Sequence, residues 1–397
     1  MNPDFDILVL GAGLVGTSLA CALEGRGLRV GLVEASAPAL PPPGFDARKL
    51  ALAAASVQAL TTLGVLEHAL PAPSPIRRIH VSRAGDFGTV RLRCEDSGRD
   101  DFGAVVQAAG LGAALERRLS ALQDTTVLRP WSFSSLRSDA DAITVVLTQG
   151  EARRTVSARL LVAADGTRSQ ARAALGIGVD EFDYGQTLMV CSMATDRAAD
   201  GTAYERFTDD GPIALLPMGA HYGAICAVPS VEAARWQGFD EAQYAAAFQQ
   251  RFGWRAGRVT RVGPRSVYPI RRVVAQALQA PRALLVGNAA QTIHPVGAQG
   301  FNLGLRDALT LAELVDDGDP GREAMLAAYV ATRREDRVRT LAFSDGLAGL
   351  TATPGLAARV LRSAGLLALA YVPGLSAPLA SGAMGFRGRV PRLARTP

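Results

Sequence analysis

The sequence predicts an α/β protein: a nucleotide-binding domain built on a βαβ unit, interrupted by an inserted mixed-sheet domain and followed by a C-terminal helical segment. Three observations carry that expectation. A short apolar run at residues 7–10 leads directly into Gly11-Ala12-Gly13-Leu14-Val15-Gly16 and a helix-favouring stretch. Strand signals then change from continuous apolar runs to period-two alternation and later change back, so one sheet is left, another entered, and the first rejoined. Near the end, residues 363–385 lack charge but are broken by Pro373, Pro378 and several glycines and serines, which makes a poor membrane-spanning helix.

Residues 7–10 read as a buried strand, 17–24 as a helix stopped by Gly25 and Gly27, and 29–34 as a second buried strand ending on Glu34. Residues 37–44, with four prolines, form a loop. Residues 51–63 have helical character up to Gly64, 76–92 hold two alternating strands joined near Gly85, and 104–122 return to helix. Residues 143–147 and 156–163 read as paired strands leading to Asp165-Gly166. Strands at 188–193 and 213–216 and a polar helix at about 241–252 belong to the second domain, and 283–286 is again a buried strand before a glycine-rich turn and helix. The expected division is therefore 1–75, 101–180 and 263–340 for the discontinuous nucleotide-binding domain, 76–100 and 181–262 for the inserted substrate domain, and 341–397 for the C-terminal helical segment.

Composition removes several classes of function. Of 42 basic residues one, Lys49, is lysine, so Schiff-base chemistry would have to depend on that side chain. The phosphate-loop pattern of two glycines bracketing four residues before Lys and Ser or Thr is absent. Four histidines and four cysteines are scattered without metal-ligand spacing, so no metal site is expected, and the cysteines read as buried small apolar side chains of a reducing compartment. The net charge of +5 comes from acids and arginines that alternate along the chain, which predicts a mixed solvated surface and no nucleic-acid partner. The N-terminus carries acids where a signal peptide has basic residues, so the expected location is cytoplasmic.

The glycine motif needs each glycine for its own reason: Gly11 for a sharp turn, Gly13 for close approach of backbone to a pyrophosphate, Gly16 for tight helix–sheet packing. Phosphates then meet unpaired N–H groups and the positive end of the helix dipole. Glu34, about twenty residues on, is placed to accept hydrogen bonds from a ribose, and its charge disfavours a 2′-phosphate, so the nucleotide is FAD or NAD. Only one complete fingerprint is present, which leaves a second nucleotide to bind transiently on the same domain.

Two further stations follow. Residues 161–169 end an apolar strand in Asp165-Gly166 before an arginine and a helix; Leu284-Leu285-Val286-Gly287-Asn288-Ala289-Ala290-Gln291-Thr292-Ile293-His294-Pro295 and the close glycines of 297–304 supply backbone N–H groups for a flat ring. Together the three stations resemble the single-component flavoprotein aromatic hydroxylases over nearly the whole chain. Phe45-Asp46-Ala47-Arg48-Lys49-Leu50-Ala51-Leu52, Pro75-Ile76-Arg77-Arg78-Ile79-His80-Val81-Ser82 and the 287–295 run are similar to the ubiquinone-biosynthesis branch, its 2-polyprenyl-6-methoxyphenol hydroxylases in particular. The chain departs from the wider family at Asn288, commonly Asp, and from the branch at Gly297-Ala298, commonly Ala-Gly.

The resemblance implies a Rossmann-like FAD-binding domain of the para-hydroxybenzoate hydroxylase type with an inserted mixed-sheet substrate domain. It implies that Gly11, Gly13, Gly16 and Glu34 hold the adenosine half of FAD, that Arg48 and Gln107 reach its ribityl and phosphate region, and that Asp165 and Gly166 lie near FAD and the passing nicotinamide. Asn288 serves the ribityl chain, and Pro295, Gly300, Phe301, Asn302 and Leu303 form the segment facing the isoalloxazine. The implied reaction is hydroxylation of a polyprenylphenol with NAD(P)H and O₂ through a flavin C4a-hydroperoxide, alongside ubiquinone-biosynthesis partner proteins; another aromatic substrate, or a non-catalytic flavin-binding assembly factor, are the alternatives. His294 has two readings, proton relay and fixing of the turn before Pro295. Arg271, Arg272, His80, Tyr184 and Tyr204 either border the substrate cleft or serve surface charge and sheet packing. Residues 359–375, apolar with Arg359 and Arg362 at the start, either pack on the FAD domain or make peripheral contact at the inner face of the cytoplasmic membrane.

Overall fold

The continuous apolar run Phe5–Leu10, buried at every residue, lies inside an eight-stranded sheet in the computed structural model, which describes residues 3–37, 48–316, 318–352, 355–372 and 374–395. Strands buried on both faces read as unbroken apolar runs, and this one pairs in parallel with Val30–Val33 on one side and with the end of Ala152–Ala163 on the other. Ala283–Leu285 continues the parallel set beyond Ala152–Ala163, and Thr125–Leu128 beyond Val30–Val33. Helices Leu14–Leu23 and Gln299–Leu314 pack together in the same apolar core.

A second sheet of nine strands is mixed. Its neighbours are antiparallel except for Arg78–Arg83 beside Thr202–Thr208, which run in parallel. The expected hairpin around Gly85 is present as Arg78–Arg83 and Val90–Arg93, and the polar helix as Glu241–Phe252, started by an Asp240 capping box with Gln243.

Two expected helices begin later than their sequences suggest. Lys49–Ala53 and Gly103–Gln107 are strands, paired antiparallel with Leu52 opposite Ala104, and the helices start at Ala54 and Ala108. Each segment gains its hydrogen bonds from a partner some fifty residues away, which overrides the helical local preference read in both. The C-terminal part is helical: Glu323–Ala352, Leu356–Tyr371 and Ala377–Ala383. Among the described residues no helix is long and apolar enough to cross a membrane.

Candidate active site

Register brings the three sequence stations to one edge. Leu10 stands opposite both Val33 and Ala163, and Ala163 opposite Leu285, so Gly11, Glu34, Asp165 and Gly287 all follow the carboxyl ends of adjacent parallel strands. Backbone hydrogen bonds continue the alignment past the strands: Gly11 N–H to Val33 C=O at 2.8 Å, Ala164 N–H to Leu10 C=O at 2.8 Å, and Val286 N–H to Ala163 C=O at 3.0 Å. In open α/β sheets such an edge is where ligands bind.

The glycine loop has one crowded side and one open side. Gly11 has φ +102°, and a Cβ there would meet the Ala164 carbonyl oxygen at 2.6 Å. A Cβ on Gly16 would lie 1.9 Å from the Gly11 carbonyl oxygen, whereas one on Gly13 would meet nothing within 4 Å. Gly13 is also the N-cap of Leu14–Leu23, a helix start with no side-chain cap and no acid in its first turn. Open space, uncapped N–H groups and a first helical turn without an acid fit a phosphate. Glu34 Oε2 accepts the Ala12 N–H and Oε1 the Ser36 N–H, both at 2.9 Å, which leaves lone-pair capacity on each oxygen. These features fit FAD.

At the second station Asp165 turns toward its own helix, accepting the Ser169 hydroxyl at 2.5 Å and the Ala171 N–H at 3.1 Å, while Gly166 at φ +85° faces open space. At the third, Asp307 accepts the Gly287 N–H at 3.1 Å and the Gln291 amide at 2.7 Å, and is itself held by Arg333 at 2.7 Å in a buried pair. Asn288 is exposed beside it. Gly287 and Gly304 let the strand end and the Gln299–Leu314 helix approach Val15, since a Cβ on Gly304 would lie 2.9 Å from Gly287 Cα and from Val15.

The turn before that helix is shaped by two successive left-handed residues, Gly297 (φ 69°) and Ala298 (φ 51°). Asn302 fastens it: its carbonyl oxygen accepts the Ala53 N–H at 2.9 Å, and its amide donates to Ala51 C=O at 3.0 Å and Ala298 C=O at 2.7 Å. Gly300 faces open space, Phe301 is half-buried, and Leu303 is core. His294 is 1% exposed; its Nδ1 accepts the Val296 N–H at 3.2 Å, Nε2 lies 3.5 Å from Gln186 Oε1, and the Tyr184 ring meets it edge-on. Burial pushes its pKa down to about 4, against the pull of Asp345, so the ring is neutral. Gln107 is buried opposite Lys49, and exposed Arg48 lies over the Tyr268 ring at 5.9 Å. Phe45, Asp46 and Ala47 lie outside the described residues.

Beside the 295–298 turn opens a cavity of about 690 Å³. Ile79, Val81, Leu216 and Ile225 of the nine-stranded sheet form one wall, and Leu366 and Leu369 of Leu356–Tyr371 another. Alternation along Thr202–Thr208 points Ala203, Glu205 and Phe207 into it, while Tyr204 joins His80, Tyr222 and Phe252 in aromatic contacts on the opposite face. His80 and Tyr204 therefore serve sheet packing. Tyr184 donates to Asp345 at 2.6 Å, and Arg272 pairs with the same carboxylate. Sequence reasoning did not identify Glu205; its signal was an acid in phase with the apolar positions of a strand. Nor did it find Asp86, fully buried with Arg362 at 2.9 Å, Arg83 at 3.5 Å and Arg359 at 3.7 Å, which ties the C-terminal helix to the turn between Arg78–Arg83 and Val90–Arg93. Among the described residues no group of three or more His, Cys, Asp or Glu could hold a metal ion.

Comparison with known proteins agrees with this geometry. The chain is 36% identical over 357 residues to the ubiquinone hydroxylase UbiL of Rhodospirillum rubrum, covering 87% of this chain and 81% of the relative. It is 32% identical over 338 residues to the 3-demethoxyubiquinol 3-hydroxylase of Escherichia coli, covering 84% and 85%. The crystal structure of p-nitrophenol 4-monooxygenase PnpA from Pseudomonas putida superposes with a TM-score of 0.78 at 17% identity, over 98% of this chain and 100% of that one, and shares the fold. The FAD binding domain family matches residues 4–344, and the chain belongs to that family.

Proposed function

We propose that this protein is an NAD(P)H-dependent FAD monooxygenase that hydroxylates a polyprenylated phenol in ubiquinone biosynthesis. The observation that carries the substrate reading is the apolar cavity of about 690 Å³ against the 295–298 turn, with leucine, isoleucine and valine walls suited to an isoprenoid chain. The names of the hydroxylases from Rhodospirillum rubrum and Escherichia coli support it.

In this reading residues 76–100 and 181–262 supply the substrate domain, with Ser266–Ala275, expected in the FAD domain, joining it by its pairing with Val179–Thr195 in the nine-stranded sheet, and the remaining segments supply the FAD domain. Gly13 presents backbone to the pyrophosphate in a loop shaped by Gly11 and Gly16, Glu34 binds the adenosine ribose, and Arg48, Gln107 and Asn288 serve the phosphate and ribityl region. Asp165 and Gly166 shape the rim where the nicotinamide approaches. Pro295, Gly300, Phe301, Asn302 and Leu303 form the ring-facing segment, with Asn302 acting through its hold on Ala51 and Ala53. FAD held by these residues would supply the hydride-accepting and O₂-activating chemistry of the reaction. The apolar walls exclude water from that reaction. His294, neutral and bonded to Val296, is a positioning residue for the turn. The outer face of Leu356–Tyr371, where Val360 and Tyr371 are exposed, makes peripheral contact with the membrane holding the substrate's tail.

The test is coupled measurement of NAD(P)H, oxygen and product with a short-chain prenylphenol and the FAD-loaded protein. Product formed with stoichiometric oxygen uptake supports the reading; stimulation only by small soluble phenols removes the prenylphenol substrate, and failure of bound FAD to be reduced with any donor favours a non-catalytic role.

A further inference from the structure

We propose that Glu205 accepts the proton of the substrate's phenolic hydroxyl, and that its carboxyl makes the cavity select neutral phenols over aromatic carboxylates. This rests on the reading of the cavity as the substrate site. Glu205 projects from Thr202–Thr208 between Ala214 and Val81 on the neighbouring strands, into a wall otherwise made by Ala203, Phe207, Leu188 and Val296. Val296, Gly297 and Ala298 of the ring-facing turn line the same cavity, so the carboxyl sits where the cavity joins the proposed flavin face. An ionised carboxylate there has acceptor sites for a phenol O–H.

All but one of the other charged groups bordering the cavity are held in ion pairs. Arg83 pairs with Asp86 and, at 2.5 Å, with Asp209; Arg306 pairs with Asp336 at 2.8 Å; Arg339 pairs with Glu335; and Arg362 pairs with Asp86. Arg387 borders the cavity from an exposed position. Burial in this apolar wall pushes the Glu205 carboxyl up to about 7, the Gly297 N–H offsetting part of the effect. A base that titrates near neutrality is well matched to proton transfer at working pH.

The step balances without a further reagent. The phenol O–H bond breaks, its proton passes to a Glu205 carboxylate oxygen, and the bonding pair stays on the phenol oxygen, from which it enriches the ortho and para ring carbons that receive oxygen. No electrons change hands in this step; the oxidant is the O₂ of the proposed reaction. An aromatic carboxylate would instead place a second negative charge beside Glu205 where the dielectric is low.

The experiment uses FAD-loaded full-length protein and its Glu205→Gln variant. Binding of 2-geranylphenol, its methyl ether and 2-geranylbenzoate is followed by flavin absorbance from pH 5.5 to 8.5, and product per NAD(P)H is measured beside the rate of flavin reduction. The wild type is expected to prefer the phenol over the ether about tenfold or more above pH 7, to lose that preference as pH falls and Glu205 protonates, and to bind the benzoate weakly. E205Q is expected to show a small, pH-independent preference, stronger benzoate binding, and at least tenfold less product per NAD(P)H at an unchanged flavin reduction rate. An E205Q variant that keeps the wild-type preference and its pH dependence overturns the proposal while leaving the prenylphenol reading intact. If the wild type turns over only other phenols, that reading fails, and the same phenol-to-ether comparison with the accepted phenol decides the role of Glu205.

Discussion

The carboxylate of Glu34 accepts the backbone N–H of Ala12 at 2.9 Å, joining the end of Val30–Val33 to the glycine loop after Phe5–Leu10. The acid at the end of the second strand thus holds the loop's shape and also faces the nucleotide edge. Glu34→Ala should weaken FAD binding about ten- to hundredfold, since a hydrogen bond to a charged group contributes roughly 1.5–3 kcal/mol. Equilibrium titration of the apoprotein measures this. Unchanged affinity would mean that another acid serves the ribose.

Two alanine substitutions in the same loop should separate folding from cofactor binding. Gly16→Ala drives a methyl into the Gly11 carbonyl, 1.9 Å away, and should lower the thermal midpoint of the apoprotein as well as flavin content. Gly13→Ala meets no protein atom within 4 Å and has an ordinary φ of −70°, so apoprotein stability should stay near wild type while FAD is lost to the occupied phosphate space. Thermal scans with and without added FAD read both effects; a Gly13→Ala protein that binds FAD normally would place the pyrophosphate elsewhere.

Stability should fall with acid through His294. Its folded pKa, lowered from 6.5 to about 4, means that between those values the unfolded chain takes a proton that the native protein refuses. The native state therefore loses stability as pH drops from about 6.5 to 4, by on the order of 3 kcal/mol from this group, and shows no dependence on it above 6.5. Histidine 80, lowered to about 4 as well, adds to the same slope. Urea unfolding of wild type and His294→Asn from pH 4.5 to 7.5 should give a shallower pH slope in the variant; equal slopes would remove His294 from the acid response.

Membrane contact should depend on the exposed apolar residues of Leu356–Tyr371 and of its C-cap, Val372. Leu366 and Leu369 line the cavity, whereas Val360 at 62%, Tyr371 at 79% and Val372 at 51% are exposed. Changing those three exposed residues to Ser should abolish flotation with anionic liposomes and leave flavin content unchanged. If wild type and variant float equally, or neither floats, this surface is not the membrane contact of the proposed function.

The glycine loop and its βαβ unit were legible because their signals are local: Gly11, Gly13, Gly16 and Glu34 lie within one strand–helix–strand segment whose turns dictate residue type. The later stations at Asp165 and Asn288 were legible as strand ends, although nothing local said that the strands were neighbours; that follows from the register of Leu10 with Ala163 and of Ala163 with Leu285. Residues 51–53 and 104–107 read as helix but are strand, because Lys49–Ala53 and Gly103–Gln107 are each a strand only by virtue of the other. Glu205 escaped notice because an acid on a strand ordinarily faces solvent, and only the packing of Leu356–Tyr371 and the 295–298 turn over that face encloses it.

The order of strands along the nucleotide-binding edge has a consequence for synthesis of the protein. On a ribosome, Ala152–Ala163 emerges and pairs with Phe5–Leu10 long before Ala283–Leu285 exists to cover its other side. At about 5–20 residues per second the intervening chain takes on the order of ten seconds to make. Throughout that interval Leu161, Val162 and Ala163 present an unpaired, wholly apolar sheet edge, the kind of surface that other chains join. Chains interrupted before Ala283 should therefore aggregate or occupy chaperones.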